Sequence, residues 1–518
     1  VQAYVTMPGH SMQLRQLTSY LQRHQPVEVR GFADVEVTGL AYDSRQVQPG
    51  DLFVAWKGFA TDGHLYVPQA LERGAVAVVA EHALELPHVV PFLITSNARS
   101  ALAHLSACFY GFPSQHLGLI GITGTDGKTT TTTLIAHLLE AAGYVTGMAT
   151  TVQFKIGPCW EDNLTRQSTL ESLDVQRLLA RMVAAGVQYV ALEATSHALA
   201  LDRLVDCAFD VAVMTNVTQE HLDFHGTMEN YVAAKTRLFR MVGEAPDKGV
   251  PRACVINADD AHAAAFRAAA AAPVVTYSVR GHAEVRARDI RLSGGGTQFV
   301  VESPWGRVEV TTPYIGEFNV ANCLAALSAC AVLGVSLEAL ARSLADAPRV
   351  PGRMELIQAG QPFTVVVDYA HTADSLEKVL TVLRPLTSGR LIVVFGSAGQ
   401  RDVTKRPAMG AVAARLADFF VLTDEDPRFE DREQILRDIA AGAVRAGAQE
   451  GEQFVCIPDR RAAIEEAIRR AQPGDTVLLA GKGHEQCIIY GDQKLPWDDR
   501  RVAREVLSML WGNSIGRC

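Results

Sequence analysis

The sequence predicts an α/β protein of three domains, built around a central, mostly parallel P-loop-type sheet. Three observations carry this. The chain has 518 residues, and at roughly 100–200 residues per domain that is about three domains. Strand-sized apolar runs alternate with helix-sized segments over most of the length, as in parallel sheets with helices on both faces. Two punctuation points, Gly111-Phe112-Pro113-Ser114 and Pro348-Arg349-Val350-Pro351-Gly352-Arg353, divide the alternation into blocks near 1–115, 116–350 and 351–518.

In the first block, Val35–Leu40, Asp51–Trp56 and Ala75–Ala80 read as strands and Tyr66–Arg73 as a helix. The polar phrase Asp43-Ser44-Arg45 suits a loop at a ligand rim. In the second block the expected order is strand Leu117–Ile122, a Gly-rich turn, helix Leu134–Ala142, helix 174–185, strand Tyr189–Glu193, strand Ala208–Thr215, helix 229–243 and strand Ala253–Asn257. The Ala-rich tract Ala261–Ala272 reads as a plain helix, since Ala is the best helix former. Gly294-Gly295-Gly296 between two alternating runs signals a hairpin in a small antiparallel appendage. The third block restarts the alternation with strands at 364–368, 391–395, 418–423 and 476–480, and helices at 373–384, 408–416, 431–445 and 460–471, a Rossmann-like pattern.

Charge narrows the partners. Lys and Arg number 48 against 57 Asp and Glu, a net of −9. Proteins that bind nucleic acid or anionic membranes usually carry basic footprints, so neither is expected as the main partner. An apolar fraction of 48% with 20% charged residues is that of a globular chain. No apolar run approaches the ~18–20 residues of a membrane span. No signal peptide is evident, and residues 1–11 read as an extension before a start at Met7 or Met12. Nine cysteines, scattered and without a CxxC, argue against disulfides or zinc and for a reducing, cytoplasmic setting. A monomer is expected.

The sharpest local signal is Gly121-Ile122-Thr123-Gly124-Thr125-Asp126-Gly127-Lys128-Thr129-Thr130, between a strand and a helix. Glycines let backbone N–H groups turn inward around phosphate oxygens, and the following helix adds its dipole. Lys128 would reach the phosphates, and Thr129 or Thr130 would ligate Mg²⁺. Ile122 stands where the strict G-x-x-x-x-G-K-[ST] spacing needs its first Gly, so this is a variant loop.

This turn resembles the ATP loop of the Mur ligase superfamily, the ATP-dependent amide-forming ligases of peptidoglycan synthesis. Other segments resemble the family in the same order: Asp43-Ser44-Arg45, Glu193 with Ser196-His197, Thr215-Asn216 with His221-Leu222-Asp223, Ala234-Lys235, Phe318-Asn319 with Asn322, Pro351-Gly352-Arg353-Met354-Glu355, Asp368-Tyr369-Ala370-His371, Arg401-Asp402, Asp426-Pro427-Arg428 and Gly481-Lys482-Gly483-His484-Glu485. The resemblance implies transfer of a phosphoryl group from ATP to a carboxylate, then attack by an amine on the acyl phosphate. Cations must offset the approach of two anions in the first step.

By resemblance, Lys128, Glu193, His221 and Lys235 are catalytic. Thr129, Glu193, His221 and Lys235 serve two Mg²⁺ sites, the last as a CO₂-derived carbamate. Gly124, Thr125, Asp126, Gly127, Lys128, Thr129, Thr130, Asn319, Asn322, Arg353, Asp368 and His371 bind ATP across a domain interface. The N-terminal domain takes the uridine end of UDP-N-acetylmuramoyl-L-alanyl-D-glutamate through Ser44 and Arg45. Ser168, Thr169, Ser196 and Arg203 take its peptide end. Arg401, Asp426, Arg428, Gly481 and Glu485 take a diamino acid in the C-terminal domain. Asp426 replaces a neutral Asn of the family's diaminopimelate ligases. A carboxylate there should repel a carboxylate and attract an ammonium, which tips the expectation toward L-lysine or L-ornithine, with meso-diaminopimelate the alternative. Two rivals stand beside this reading. A folylpolyglutamate synthase would lack the N-terminal block, and a non-catalytic homologue would lack one of Lys128, Glu193, His221 and Lys235.

Overall fold

The computed structural model describes residues 10–31, 34–59, 61–85, 90–165 and 167–511. Of the supposed extension, residues 1–9 lie outside the described residues, as does Cys518. Three large sheets follow one another along the chain. The first has five strands, in the order Glu28–Arg30, Phe92–Ile94, Ala77–Ala80, Asp51–Val54, Gly39–Ala41, and only Glu28–Arg30 runs antiparallel to its neighbour. The second has eleven strands. Its parallel centre runs Thr146–Ala149, Tyr189–Glu193, Gly118–Thr123, Val211–Met214, Ala253–Asn257, Val274–Ser278. The third has six, with Thr364–Asp368, Thr476–Ala480, Leu391–Phe395, Phe419–Leu422 and Phe454–Cys456 parallel.

Near-continuous apolar strands bury both faces, and each sheet is packed between two apolar clusters. In Gly118–Thr123, Ile120 and Ile122 enter one cluster and Leu119 the other. In Leu391–Phe395, Val393 faces one side while Ile392 and Val394 face the opposite side. Each such side chain contributes about 1.5–3 kcal/mol when fully buried, which specifies strand register strongly. The parallel arrangement places all strand C-terminal ends along one edge, where ligands of open α/β sheets bind.

Several elements differ from the sequence expectation. The glycine hairpin is not a separate appendage. Val285–Ser293 pairs parallel with Val274–Ser278, so Val285–Ser293, Gly296–Ser303 and Gly306–Thr312 extend the main sheet. The helix after the phosphate turn begins at Lys128, not Leu134. Its threonines are poor intrinsic helix formers, but Thr129 to Thr133 are buried and the Thr133 hydroxyl donates back to Thr129 O at 2.8 Å. Missed by pattern are the helices Leu14–Leu21, Ala98–Phe109 and Asp499–Trp511, the strand Phe454–Cys456 and the hairpin Cys487–Tyr490 with Gln493–Pro496. Cys108, Cys159, Cys207, Cys254, Cys323, Cys330, Cys456 and Cys487 are free thiols. Among the described residues no helix is long and apolar enough to cross a membrane.

One buried ion pair fixes the third domain's strand ends. Arg460 and Asp499 are both fully buried and bonded twice, at 2.8 and 2.6 Å. The same guanidinium donates to Asp424 O at 3.0 Å and Ala480 O at 2.8 Å. Removing one partner strands a buried charge, so Arg460→Leu should cost about 3–5 kcal/mol. Urea unfolding checks this, and a loss under about 1 kcal/mol would contradict it.

Candidate active site

The phosphate turn is clamped before any ligand is considered. Gly124 and Gly127 take φ of +153° and +81°, the latter in the left-handed region that favours glycine. The Thr215 hydroxyl donates to Asp126 O at 2.6 Å, Asp126 N donates to Asn216 Oδ1 at 3.0 Å, and Thr125 N donates to Asn216 O at 2.8 Å. The strand Val211–Met214 thus ends in two residues that hold the turn's shape. On the other side, a Cβ at Gly127 would run into Asn322 Oδ1. Asn322 and Asn319 are buried in the first turns of helix Glu317–Val332 and bonded to each other at 3.2 Å, and Gly316 takes the N-cap position.

Two amines converge on this turn. Lys128 Nζ donates to Gly124 O at 3.0 Å and Thr125 O at 2.7 Å. Lys235 comes from the middle of helix Met228–Glu244, is 2% exposed, and donates to the same Gly124 O at 2.6 Å. Its amine lies 4.4 Å from the Tyr231 ring centre. Burial, then the charge of Lys128, pushes the Lys235 amine well below the usual lysine range. Glu193, fully buried at the end of its strand, accepts from Thr151 N at 3.1 Å and the Thr151 hydroxyl at 3.0 Å.

Glu220, which the sequence did not single out, sits between the second and third sheets. It faces His371 Nε2 at 3.2 Å and His221 Nε2 at 3.5 Å. His371 Nδ1 lies 2.8 Å from Tyr369 O. Both ring nitrogens therefore face acceptors, and both must donate, which makes His371 an imidazolium. In agreement, although burial lowers it, the bond to Glu220 together with the charges of Glu220 and Glu425 raises the His371 ring above the ordinary histidine value. Burial would raise Glu220, but His221, His371 and Lys128 hold it well below the carboxylate range. His221, at φ +56°, is pushed down to about 4 by burial and by Lys235 and Lys128, against the pull of Glu220. It is a neutral imidazole at neutral pH. His197, beside it at 4.7 Å between ring centres, is pushed to about 3, chiefly by burial. His225 packs among His197, Phe224 and Tyr231.

A cleft of about 660 Å³ opens between the sheets. Asp126, Gly127, Thr130, Asn319 and Asn322 line one wall; Arg353, Asp368 and Lys378 line the other. Asp368 accepts from Met354 N and Ala370 N, both at 2.8 Å, so it locks the Arg353 loop to the strand end. Arg353 lies over Tyr369 at 4.5 Å.

A second cleft, about 1460 Å³, contains Glu220, His221, His371, Arg401, Lys405, Glu425, Asp426, Arg428 and Glu485. Here the structure removes a premise. Asp426 is not a bare charge, because the buried Lys482 donates to its Oδ1 at 2.8 Å and to Glu485 at 2.5 Å, and Ile489 N adds 2.9 Å. Gly481, at φ +102°, leaves room for Glu425, whose buried Oε2 has no hydrogen-bond partner among the described residues.

On the far side of Glu193, the Thr169 hydroxyl donates to Glu193 O at 2.7 Å and Arg203 donates to Thr169 O at 3.2 Å. Ser168 accepts from Thr151 at 2.7 Å, and Ser196 Oγ is buried without a hydrogen-bond partner among the described residues. Ser44 and Arg45 line none of these clefts. The Ser44 hydroxyl donates to Gln69 at 2.7 Å, and Arg45 is exposed and bonded to Asp43.

Comparison with known sequences decides the family. Residues 36–107 match the Mur ligase family catalytic domain, 122–330 the Mur ligase middle domain, and 352–483 the Mur ligase glutamate ligase domain. The chain belongs to the Mur ligase family. A relative from Roseiflexus sp. (strain RS-1), named UDP-N-acetylmuramyl-tripeptide synthetase, is 53% identical over 92% of this chain and 95% of its own. One from Geobacillus kaustophilus (strain HTA426), named UDP-N-acetylmuramoyl-L-alanyl-D-glutamate–2,6-diaminopimelate ligase, is 46% identical over 90% and 94%. A solved structure of a ligase with that second name superposes with a TM-score of 0.66 at 33% identity, over 95% of this chain and 99% of that one. As a Mur ligase the chain is an ATP-dependent ligase.

For this Mur ligase the Gly127–Asn322 contact is testable. Gly127→Ala forces a Cβ into Asn322 at a backbone angle that L-residues disfavour. ADP affinity, read by calorimetry, should fall by about tenfold or more, since a misplaced loop loses its phosphate contacts. Unchanged affinity would mean that the loop can shift at no cost.

Proposed function

We propose that the chain joins 2,6-diaminopimelate to the D-glutamyl carboxylate of UDP-N-acetylmuramoyl-L-alanyl-D-glutamate, at the expense of ATP. One observation carries the choice of amino acid. Asp426 is paired with Lys482, which it shares with Glu485, and Arg428, Arg401 and Lys405 stand as cations on the wall of the second cleft. That wall suits an acceptor with a second carboxylate, since Arg can take a carboxylate bidentately. Glu485 and Glu425 suit its ammonium groups. The names of the relatives support the same choice, against the lysine or ornithine that Asp426 alone suggested.

In this reading ATP lies between Gly127 and Arg353. Its γ-phosphoryl group passes to the carboxylate, ADP leaves, and the amine attacks the acyl phosphate, losing a proton as phosphate departs. Lys128 and Arg353 offset the charge of the approaching anions. Two oxygen donors suit Mg²⁺, which takes oxygen ligands: the Thr129 hydroxyl and the Glu193 carboxylate, with His221 a neutral nitrogen donor by comparison. Bound Mg²⁺ would supply further neutralisation of phosphate charge. Lys235, kept from protonation by burial, is chemically prepared to add CO₂ (R–NH₂ + CO₂ → R–NH–COO⁻ + H⁺) and so become an oxygen donor.

Phosphate release measured with each amino acid tests the reading. We expect turnover with meso-diaminopimelate and less than about a hundredth of it with lysine or ornithine, and Arg428→Ala should raise the diaminopimelate KM by about tenfold or more. Preferred use of lysine would refute the choice. The carbamate has its own readout. In ¹³CO₂-equilibrated buffer the wild type should give a carbamate ¹³C resonance that Lys235→Ala lacks, and its absence from the wild type would refute the modification.

A further inference from the structure

The first and second domains meet beside Thr169, Ser196 and Arg203, at a residue of the first domain that the site described so far does not use, Arg99. Glu171 precedes helix Ser172–Ala184, and its Oε1 pairs with Arg203 Nη2 at 2.6 Å. A second guanidinium, that of Arg99, stands 4.0 Å from the same oxygen. Arg99 belongs to the first turn of helix Ala98–Phe109, in the N-terminal domain. Its guanidinium lies 5.0 Å from the Trp56 ring and 5.6 Å from the Phe59 ring. Phe59 is 78% exposed. Among the described residues, Arg99 Nη1 is buried without a hydrogen-bond partner, as are Arg203 Nε and Ser196 Oγ. Glu81, the next acid, is engaged by Lys57 N at 3.1 Å and Ala98 N at 3.5 Å.

A guanidinium cannot shed its proton, and a buried donor without an acceptor is costly. One carboxylate shared by two guanidiniums is hydrogen-bonded only to Arg203 and leaves Arg99 with a longer ion pair at 4.0 Å and no hydrogen bond at Nη1 among the described residues. A substrate with its nucleotide on the first domain and its reacting carboxylate beside Glu193 must cross this junction. The contacts from Arg99 run toward Glu193 through Glu171, Arg203 and Thr169.

We propose that Arg99 is a substrate-binding residue lent by the N-terminal domain, whose guanidinium takes an anionic oxygen of the nucleotide-linked dipeptide, against the Trp56 and Phe59 rings. This rests on the substrate assigned above. The oxygen belongs to the diphosphate or to a carboxylate of the dipeptide, and these have the same chemistry toward arginine.

The test uses the full chain, with UDP-N-acetylmuramoyl-L-alanyl-D-glutamate and UDP as probes in calorimetry, and steady-state kinetics beside it. Arg99→Ala should raise the KM and Kd for the nucleotide substrate by at least about tenfold, with the KM for ATP and for the amino acid within about twofold of wild type. Arg99→Lys, which keeps charge and loses the fork, should fall between and serves if the alanine variant does not fold. Weakened UDP binding places the contact at the diphosphate, and weakened binding of the dipeptide form alone places it at a carboxylate. An unchanged nucleotide KM, or equal shifts in all three KM values with a lowered melting temperature, would make Arg99 a structural ion pair and overturn the proposal. A wild type that neither binds nor turns over the nucleotide would overturn the assigned function first, and this with it.

Discussion

Two amines share one carbonyl oxygen. Lys128 and Lys235 both donate to Gly124 O, and two ammonium groups so close, with little water to screen them, repel strongly. The structure resolves the conflict by burying Lys235 so deeply that its protonated form is disfavoured. Much of the surrounding architecture serves this arrangement. Thr215 and Asn216 hold the turn from one side, Asn322 abuts it from another, and Tyr231 bonds Thr125 at 3.0 Å while facing the Lys235 amine. The phosphate turn is therefore a rigid cationic seat rather than a flexible glycine loop.

Within the third domain, backbone packing that tolerates no side chain ties the Arg353 loop to the loop after strand Thr476–Ala480. Gly352, at φ +66°, lies against Gly483 and His484, and a Cβ there would collide with their main chain. The close approach sets Arg353 over the Tyr369 ring and brings His371 to Glu220. These glycines act as spacers of zero thickness between two loops of the third domain. Their φ values matter less than the distance they allow.

Much of this was legible in the sequence. The strand Tyr189–Glu193 and its terminal acid follow from an apolar run of strand length, and the tight turn between strand Gly118–Thr123 and helix Lys128–Ala141 from its glycines. Elements whose burial depends on partners far along the chain were not. Helix Asp499–Trp511 is set by Asp499 meeting Arg460, a pairing no local pattern reveals. Glu220 was passed over because its neighbour His221 drew attention, and its meaning comes only from His371, 151 residues away. Asp426 was read as an exposed charge because sequence cannot show that Lys482, 56 residues on, neutralises it. Arg99 carried no motif, and its interest lies in a polar atom left without a partner, which only three dimensions can show.

Tyr369 has a consequence of a different kind. It lines the two clefts described above and a third, which Thr151, Ser168, His484 and Arg500 also line. Arg353, His371 and His484 pack around it. Whatever settles in one cleft meets a surface that the others share. A change at this half-buried ring would therefore reshape three cleft walls at once.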